Sequence, residues 1–213
     1  MSSNDKSTVR IGEQNRQKIL AAAEQEFALH GFKGTAVQAI AESAGLPKTN
    51  VLYYFKSKQK LYQAVLDDIV QLWDSGFDQA SFEDDPAEML AAYIAQKMML
   101  SRTRPQASKI FAMEIINGAP NLDQFFAEQH RHWMQGRIEV IQQWIKQGLM
   151  AKTDPTYLLF TIWACSQHYA DFSAQISGLK GHAMDKQDFD QATGNLIKLI
   201  LTGCGLTVPA QYQ

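Results

Sequence analysis

Between Pro47 and Phe55 the chain sets an ammonium (Lys48), a hydroxyl (Thr49), a carboxamide (Asn50) and two phenols (Tyr53, Tyr54) among Val51, Leu52 and Phe55. Wound into a helix, these residues give an apolar side and a polar side, and the polar one can reach phosphates and base edges together. Just upstream, Val37, Ile40, Ala41 and Ala44 recur at three and four, then Ala44-Gly45-Leu46 breaks the pattern and Pro47 opens the next segment. That is the spacing of a helix-turn-helix. Two short helices about a glycine also pack in many helical proteins with no such role. The flanking Lys33, Lys56, Lys58 and Lys60 shift the balance towards a polyanion.

A second group of residues could hold a flat heterocycle. Trp163 and Gln167 are four apart and share a helical face, while Trp73 ends a separate apolar stretch. Indoles can cover a flat ring, and a carboxamide offers one donor and one acceptor in a plane. Met98, Met99 and Met113 are candidates for an adaptable lining. The plainer alternatives are a core role for the tryptophans and methionines and a bond to a neighbouring helix for Gln167. Arg102 is placed to cap the carbonyls at a helix end, with a ligand role as its alternative.

Catalytic chemistry is poorly served. His130 and His132 are two apart and diverge on a helix, with no HExxH or paired CxxC, so no metal site or cofactor is expected. His168 and Asp171 could form an acid-base pair but lack a nucleophile, which makes a structural or pocket-lining role the better reading. The chain has no phosphate-binding glycine loop.

The elements that must position these groups read as helices throughout. Ile19, Ala23 and Phe27 open the three-four pattern, and Leu61 to Leu72 continues it. Gly31, Gly45 and Asn117-Gly118 stand where helix ends want a positive φ. Thr35-Ala36-Val37-Gln38 reads as a capping box, and Asp85-Pro86 and Asp154-Pro155 as N-caps followed by a first-turn proline. Nine helices are expected, near 13–30, 36–43, 47–54, 58–80, 86–104, 105–117, 121–150, 155–177 and 186–203. Gly136 is the expected bend in the seventh, and Gly178 to Lys186 the expected flexible loop. The fold class is therefore all-α, in two parts. Residues 1–60 are expected to form a helix-turn-helix domain whose first 12 residues are flexible, and residues 61–213 a helical ligand-binding domain.

Charge is divided in the same way. Residues 1–60 carry 9 Lys/Arg against 5 Asp/Glu, a net +4, and the remainder carries −6. Hydrophobic residues make up 46% and charged ones 20%, the composition of a globular protein. No apolar run approaches the ~18 residues of a membrane span. Two cysteines, Cys165 and Cys204, and a polar N-terminus point to the cytoplasm.

Gly31-Phe32-Lys33-Gly34-Thr35, Ile40 to Gly45 and Val51-Leu52-Tyr53-Tyr54-Phe55-Lys56-Ser57-Lys58 resemble the N-terminal signature of the TetR family. The resemblance covers roughly residues 13 to 62. It implies a DNA-binding transcriptional regulator in which Thr35 and Lys58 hold phosphates, Lys48, Thr49, Asn50 and Tyr53 face the major groove, and Leu52 and Phe55 are core. Where the family often has Tyr and His, this chain has Leu52 and Tyr54; where it has Ser-Lys-Glu, this chain has Ser57-Lys58-Gln59.

Further on, Pro105 to Ser108, Met113-Glu114, Asn117 to Pro120, Ile162-Trp163-Ala164 and Gln167 to Phe172 resemble the family's pyrimidine-utilisation regulators. That resemblance implies a repressor of operator DNA relieved by a small flat effector such as uracil or thymine, bound near Trp73, Met113, Trp163 and Gln167. An unrelated hydrophobic effector is the alternative. From the family also follows a homodimer through the last two helices, and the breadth of the apolar side made by Phe189, Leu196, Ile197, Ile200 and Leu201 fits it. A helical enzyme acting on a heterocycle and a helical protein-binding adaptor are the rival classes.

Overall fold

The computed structural model describes residues 3–122 and 125–213, with side chains over 11–122 and 128–213. Among the described residues there are ten α-helices and no strand. They are α1 (Ser3–Gly34), α2 (Val37–Ser43), α3 (Lys48–Phe55), α4 (Lys58–Asp74), α5 (Pro86–Thr103), α6 (Pro105–Ile116), α7 (Arg131–Lys146), α8 (Pro155–Asp171), α9 (Ser173–Lys180) and α10 (Lys186–Gly203). A π-helical turn, Phe125–His130, precedes α7. No helix among the described residues is long and apolar enough to cross a membrane.

The chain forms two compact units, residues 1–70 with 109–118, and residues 71–108 with 119–213. The first unit therefore runs ten residues past the boundary expected at residue 60. Leu61, Tyr62, Val65, Leu66 and Ile69 of α4 are all buried, so this amphipathic stretch belongs to the first unit's core. Segment 109–118 joins the same unit, where Tyr62 donates its hydroxyl to the Glu114 carboxylate at 3.0 Å with both side chains buried. Burial, and then the Glu114 charge, push the Tyr62 hydroxyl pKa up, which keeps it a donor.

In the first unit, Ile19, Ala23, Phe27 and Ile40 are fully buried, as their spacing predicts. Gly31 (φ +67°, ψ 173°) breaks the α1 geometry and Gly45 (φ +65°) ends the α2 turn; both take the positive φ that only glycine adopts cheaply. The helix is assigned from Ser3, ahead of the expected start at residue 13, because its first turns lack the apolar residues that make periodicity visible. Met1 and Ser2, part of the stretch expected to be flexible, lie outside the described residues.

The capping box at Thr35 does not form. Ala36 is the N-cap of α2 and has no side-chain cap bond, because the Thr35 hydroxyl turns back and donates to Gly31 O (2.8 Å) and Glu26 O (3.0 Å) at the end of α1. The other two predicted caps are present. Asp85 accepts from the Ala87 and Glu88 amides, and Asp154 from those of Thr156 and Tyr157.

In the second unit α5 packs against α8 and α10. The fourth helix stops at Asp74, six residues short of expectation. One nitrogen of the Arg137 guanidinium accounts for the stop, since it donates to the carbonyls of Phe77, Asp78 and Ala80 at 2.7–2.9 Å and holds that stretch as turns. The expected helix from residue 121 includes residues 123–124, which lie outside the described ones. Its irregularity falls at the π-helical turn, and Gly136 lies within α7.

The expected eighth helix divides at Phe172 into α8 and α9. The loop foreseen over 178–186 shortens to the stretch between Lys180 and Lys186, bounded by Gly181 (φ +79°) and an Asp185–Asp188 capping box. Asp188 also accepts Lys180 and His182 at 3.0 Å each, and the Lys180 bond, first among its contacts, holds its carboxyl pKa below the ordinary value.

Phe189, Leu196, Ile197, Ile200 and Leu201 are all buried in the core of their own unit. The broad apolar side of α10 is thus explained within one chain. What remains exposed on these helices is Leu199 (71%) on α10, with Tyr157 (68%) and Phe160 (46%) on α8.

Candidate nucleic-acid interface and effector site

α3 separates into the two sides its sequence implies. Val51 and Phe55, one turn apart, are buried, while Lys48 and Thr49 are exposed, Asn50 is half-buried and Tyr53 is 71% exposed. Leu52, expected in the core, is instead at the surface (37% exposed), because the 100° step per residue gives the inward position to Val51. Lys56 follows α3 at φ +65°; its ammonium donates to Tyr53 O at 2.9 Å and lies 5.3 Å from the Tyr53 ring centroid. The lysine so steadies the exposed phenol.

Thr35 and Lys58 come together, but towards the protein. The Lys58 ammonium donates to Thr35 O (2.9 Å) and Phe32 O (2.8 Å) and sits 4.7 Å from the Phe32 ring. Two of its three N–H groups thus satisfy carbonyls at the α1–α2 corner. Thr35 is 3% exposed and its hydroxyl hydrogen is taken by α1. Both residues brace the corner from which α2 and α3 project.

The second unit contains an aromatic cluster around a buried amine. Trp73 is buried, and Lys97, 6% exposed, holds its ammonium 5.0 Å from the Trp73 ring and 5.7 Å from the Tyr93 ring. The Trp163 indole donates to the Tyr93 hydroxyl at 2.7 Å. Trp73 and Trp163 are therefore linked through two residues that the sequence reading missed. A signal for them existed: Tyr93 and Lys97 are one turn apart and in register with Leu90, Leu100 and Ser101, so Lys97 lies on the buried side of α5.

Desolvation lowers the Lys97 pKa from 10.5 to about 8, against the pull of the Asp74 carboxylate. Burial, which outweighs the Trp163 bond, pushes the Tyr93 hydroxyl pKa upward, so it stays protonated. Having accepted from Trp163, that hydroxyl keeps a proton to donate. His130 stacks on Trp133 (5.3 Å, 9°), with its Nδ1 3.4 Å from Asp74.

Gln167 lies one turn beyond Trp163 on α8, half-buried and with no side-chain hydrogen bond among the described residues. Met113 belongs to the first unit and is half-buried. His168 stacks on Phe172 (4.9 Å), and Asp171 accepts from Ser108 at 2.5 Å, so the two do not act as a pair. Arg102 caps no carbonyl among the described residues.

Residues 19–65 match the bacterial regulatory proteins of the tetR family, and residues 66–207 match the C-terminal region of YcdC-like proteins. The HTH-type transcriptional regulator RutR of Escherichia coli strain K12 is 39% identical over 189 residues, spanning 88% of this chain and 89% of that one. The chain belongs to the TetR family.

It is a TetR-family transcriptional regulator closely related to RutR. The HTH-type transcriptional regulator EthR of Mycolicibacterium smegmatis is 24% identical over 152 residues, covering 70% of each chain. Among solved structures, SCO4942 of Streptomyces coelicolor superposes with a TM-score of 0.73 over 91% of this chain and 99% of its own, at 23% identity. AibR, crystallised with isovaleryl coenzyme A and operator DNA, gives 0.63 at 18% identity over 87% of this chain and 97% of its own. At those identities the two structures support the fold of the regulator and nothing finer.

Proposed function

We propose that this regulator is a homodimeric repressor that reads an inverted-repeat operator with α3 and releases it on binding uracil or thymine. The observation that carries the effector reading is the buried amine and phenol between two indoles: Lys97 and Tyr93 offer N–H and O–H donors beside Trp73 and Trp163. A pyrimidine imide alternates carbonyl acceptors with N–H donors. Its carbonyls suit Lys97 and Tyr93, and the planar carboxamide of Gln167 suits the imide edge. The resemblance to pyrimidine-utilisation regulators supports the same effector class. Met113, named with these residues on sequence grounds, is not needed for the pairing.

Lys48, Thr49, Asn50 and Tyr53 make the reading surface, with Thr35 and Lys58 acting mainly by bracing it. α4 starts at Lys58 and reaches Trp73, so an effector that favours one setting of this helix has a covalent route to the reading head. A preference of about tenfold to a hundredfold for the released arrangement, roughly 1.4 to 2.7 kcal/mol per site, suffices. Titration calorimetry with uracil on the wild type and on Gln167→Leu tests the pairing. The variant is expected to bind about tenfold more weakly, since losing the carboxamide strands the imide's polar groups. Equal affinities would remove Gln167 from the site, and no heat with uracil or thymine would remove the effector class.

The dimer is carried by the exposed apolar residues of the last long helices, Tyr157, Phe160 and Leu199. Leu199→Glu should give a folded monomer in sedimentation, because its side chain is 71% exposed within the single chain. A variant that sediments as a dimer with wild-type affinity would contradict this interface.

A further inference from the structure

α5 serves a second compartment. Ala95, Met98, Met99 and Arg102 recur at three and four on a side other than that of Tyr93 and Lys97. They line a cavity of about 980 Å³ completed by α10 and by the C-terminal segment through Tyr212. None of Trp73, Tyr93, Lys97, Trp163 and Gln167 lines it. Its volume lies at the upper end of the range for small-molecule sites.

The lining is sharply divided in character. Met98 and Phe189 are buried, and Ala95 and Val208 half-buried, which makes an apolar floor that the flexible thioethers can adjust. Arg102 and Lys198 are exposed, and neither has an acidic partner among the described residues. The acidic side chain in the wall, Asp190, is already paired with Lys186 at 2.6 Å. Other polar groups of the wall are likewise engaged: Gln211 donates to Glu88 and the Gln213 side chain to Val208 O. The cavity thus combines an apolar floor with two cations that form no ion pair among the described residues.

We propose that this cavity is a second ligand site, which takes an amphipathic monocarboxylate. The apolar body rests on Met98 and Phe189, and the carboxylate is met by the Lys198 ammonium and by Arg102, whose planar guanidinium can accommodate both oxygens. A neutral molecule of the same shape leaves both cations unmatched and binds less well. This site is independent of the pyrimidine reading, since none of Trp73, Tyr93, Lys97, Trp163 and Gln167, which carry that reading, lines it, and Met98, Met99 and Arg102, offered on sequence grounds for the first site, line this one.

The test is calorimetry of the full chain with decanoate and with its neutral counterpart decanamide, on the wild type and on the double variant Arg102→Gln, Lys198→Gln. Both positions are exposed, so the variant should fold with an unchanged melting temperature. Expected are one decanoate per chain, at least tenfold weaker binding of decanamide, and at least a tenfold loss for decanoate in the double variant. Uracil titrated in parallel reports on the other compartment, and decanoate binding that persists whether or not uracil binds supports a separate site. Equal affinity for decanoate and decanamide, an unchanged double variant, several decanoates per chain, or no decanoate heat would each overturn the proposal. Weaker self-association of the double variant without any decanoate effect would assign the cavity to a second copy of the chain and overturn it too.

Discussion

Lys97→Met is expected to make the protein more stable and worse at sensing its effector. The Lys97 ammonium is buried against two aromatic rings with a pKa lowered from 10.5 to about 8. In the unfolded chain it takes up its proton below about pH 10.5, and in the fold only below about pH 8. Between those values the unfolded state binds more protons, so the folded state gains stability as pH rises through that window. Below pH 8 the cost of burying the charge is fully present, up to about 3 kcal/mol for a gap of this size. Met fills nearly the same volume without the charge, and should raise stability at pH 7 by roughly 1 to 3 kcal/mol. Denaturant titrations at pH 7 and pH 10 check this. The gap between variant and wild type should be wide at pH 7 and should narrow at pH 10. If the gap is the same at both pH values, the amine is not buried as described. Uracil affinity should fall about tenfold or more, as expected for a charge-assisted bond lost from a desolvated site.

Lys58→Ala should weaken DNA binding chiefly by loosening the first unit. Its ammonium satisfies two carbonyls and packs on Phe32, and removing it leaves those carbonyls without their donor. A loss of about 2 kcal/mol is expected for charge-assisted bonds at a half-buried position, or about 4–8 °C in melting temperature for a chain of this size. Lys48→Ala, at an exposed position on α3, should leave melting unchanged and reduce affinity while altering which half-site is preferred. Differential scanning fluorimetry alongside anisotropy titrations separates the two effects. A Lys58→Ala protein that melts like wild type but loses affinity for all duplexes alike would return this lysine to direct phosphate contact.

The helical fold was legible because its signals are local. Ile19, Ala23 and Phe27 repeat at helical spacing, Gly45 stands at a positive-φ corner, and Asp85-Pro86 caps a first turn; each depends on neighbours within four residues. The polar side of α3 was legible for the same reason. What failed depended on distant partners. Thr35 read as a cap until α1 offered it carbonyls, and the fourth helix read long until Arg137, 57 to 60 residues further on, gathered three carbonyls from its end. The apolar side of α10 pointed to a partner because the sequence does not say whether α5 of the same chain covers it. Lys97 was overlooked because lysine usually marks a solvated face, although its register beside Leu90, Tyr93 and Leu100 placed it inside.

Selection of bound duplexes from a random pool by the full chain, run in parallel with and without uracil, tests at once whether this regulator reads an operator and whether uracil releases it. One inverted repeat should be enriched, with half-sites about one helical turn or more apart as two α3 helices require, and that enrichment should be lost when uracil is present. A pool that shows no enriched sequence, or the same enrichment with uracil as without it, would contradict the proposed function.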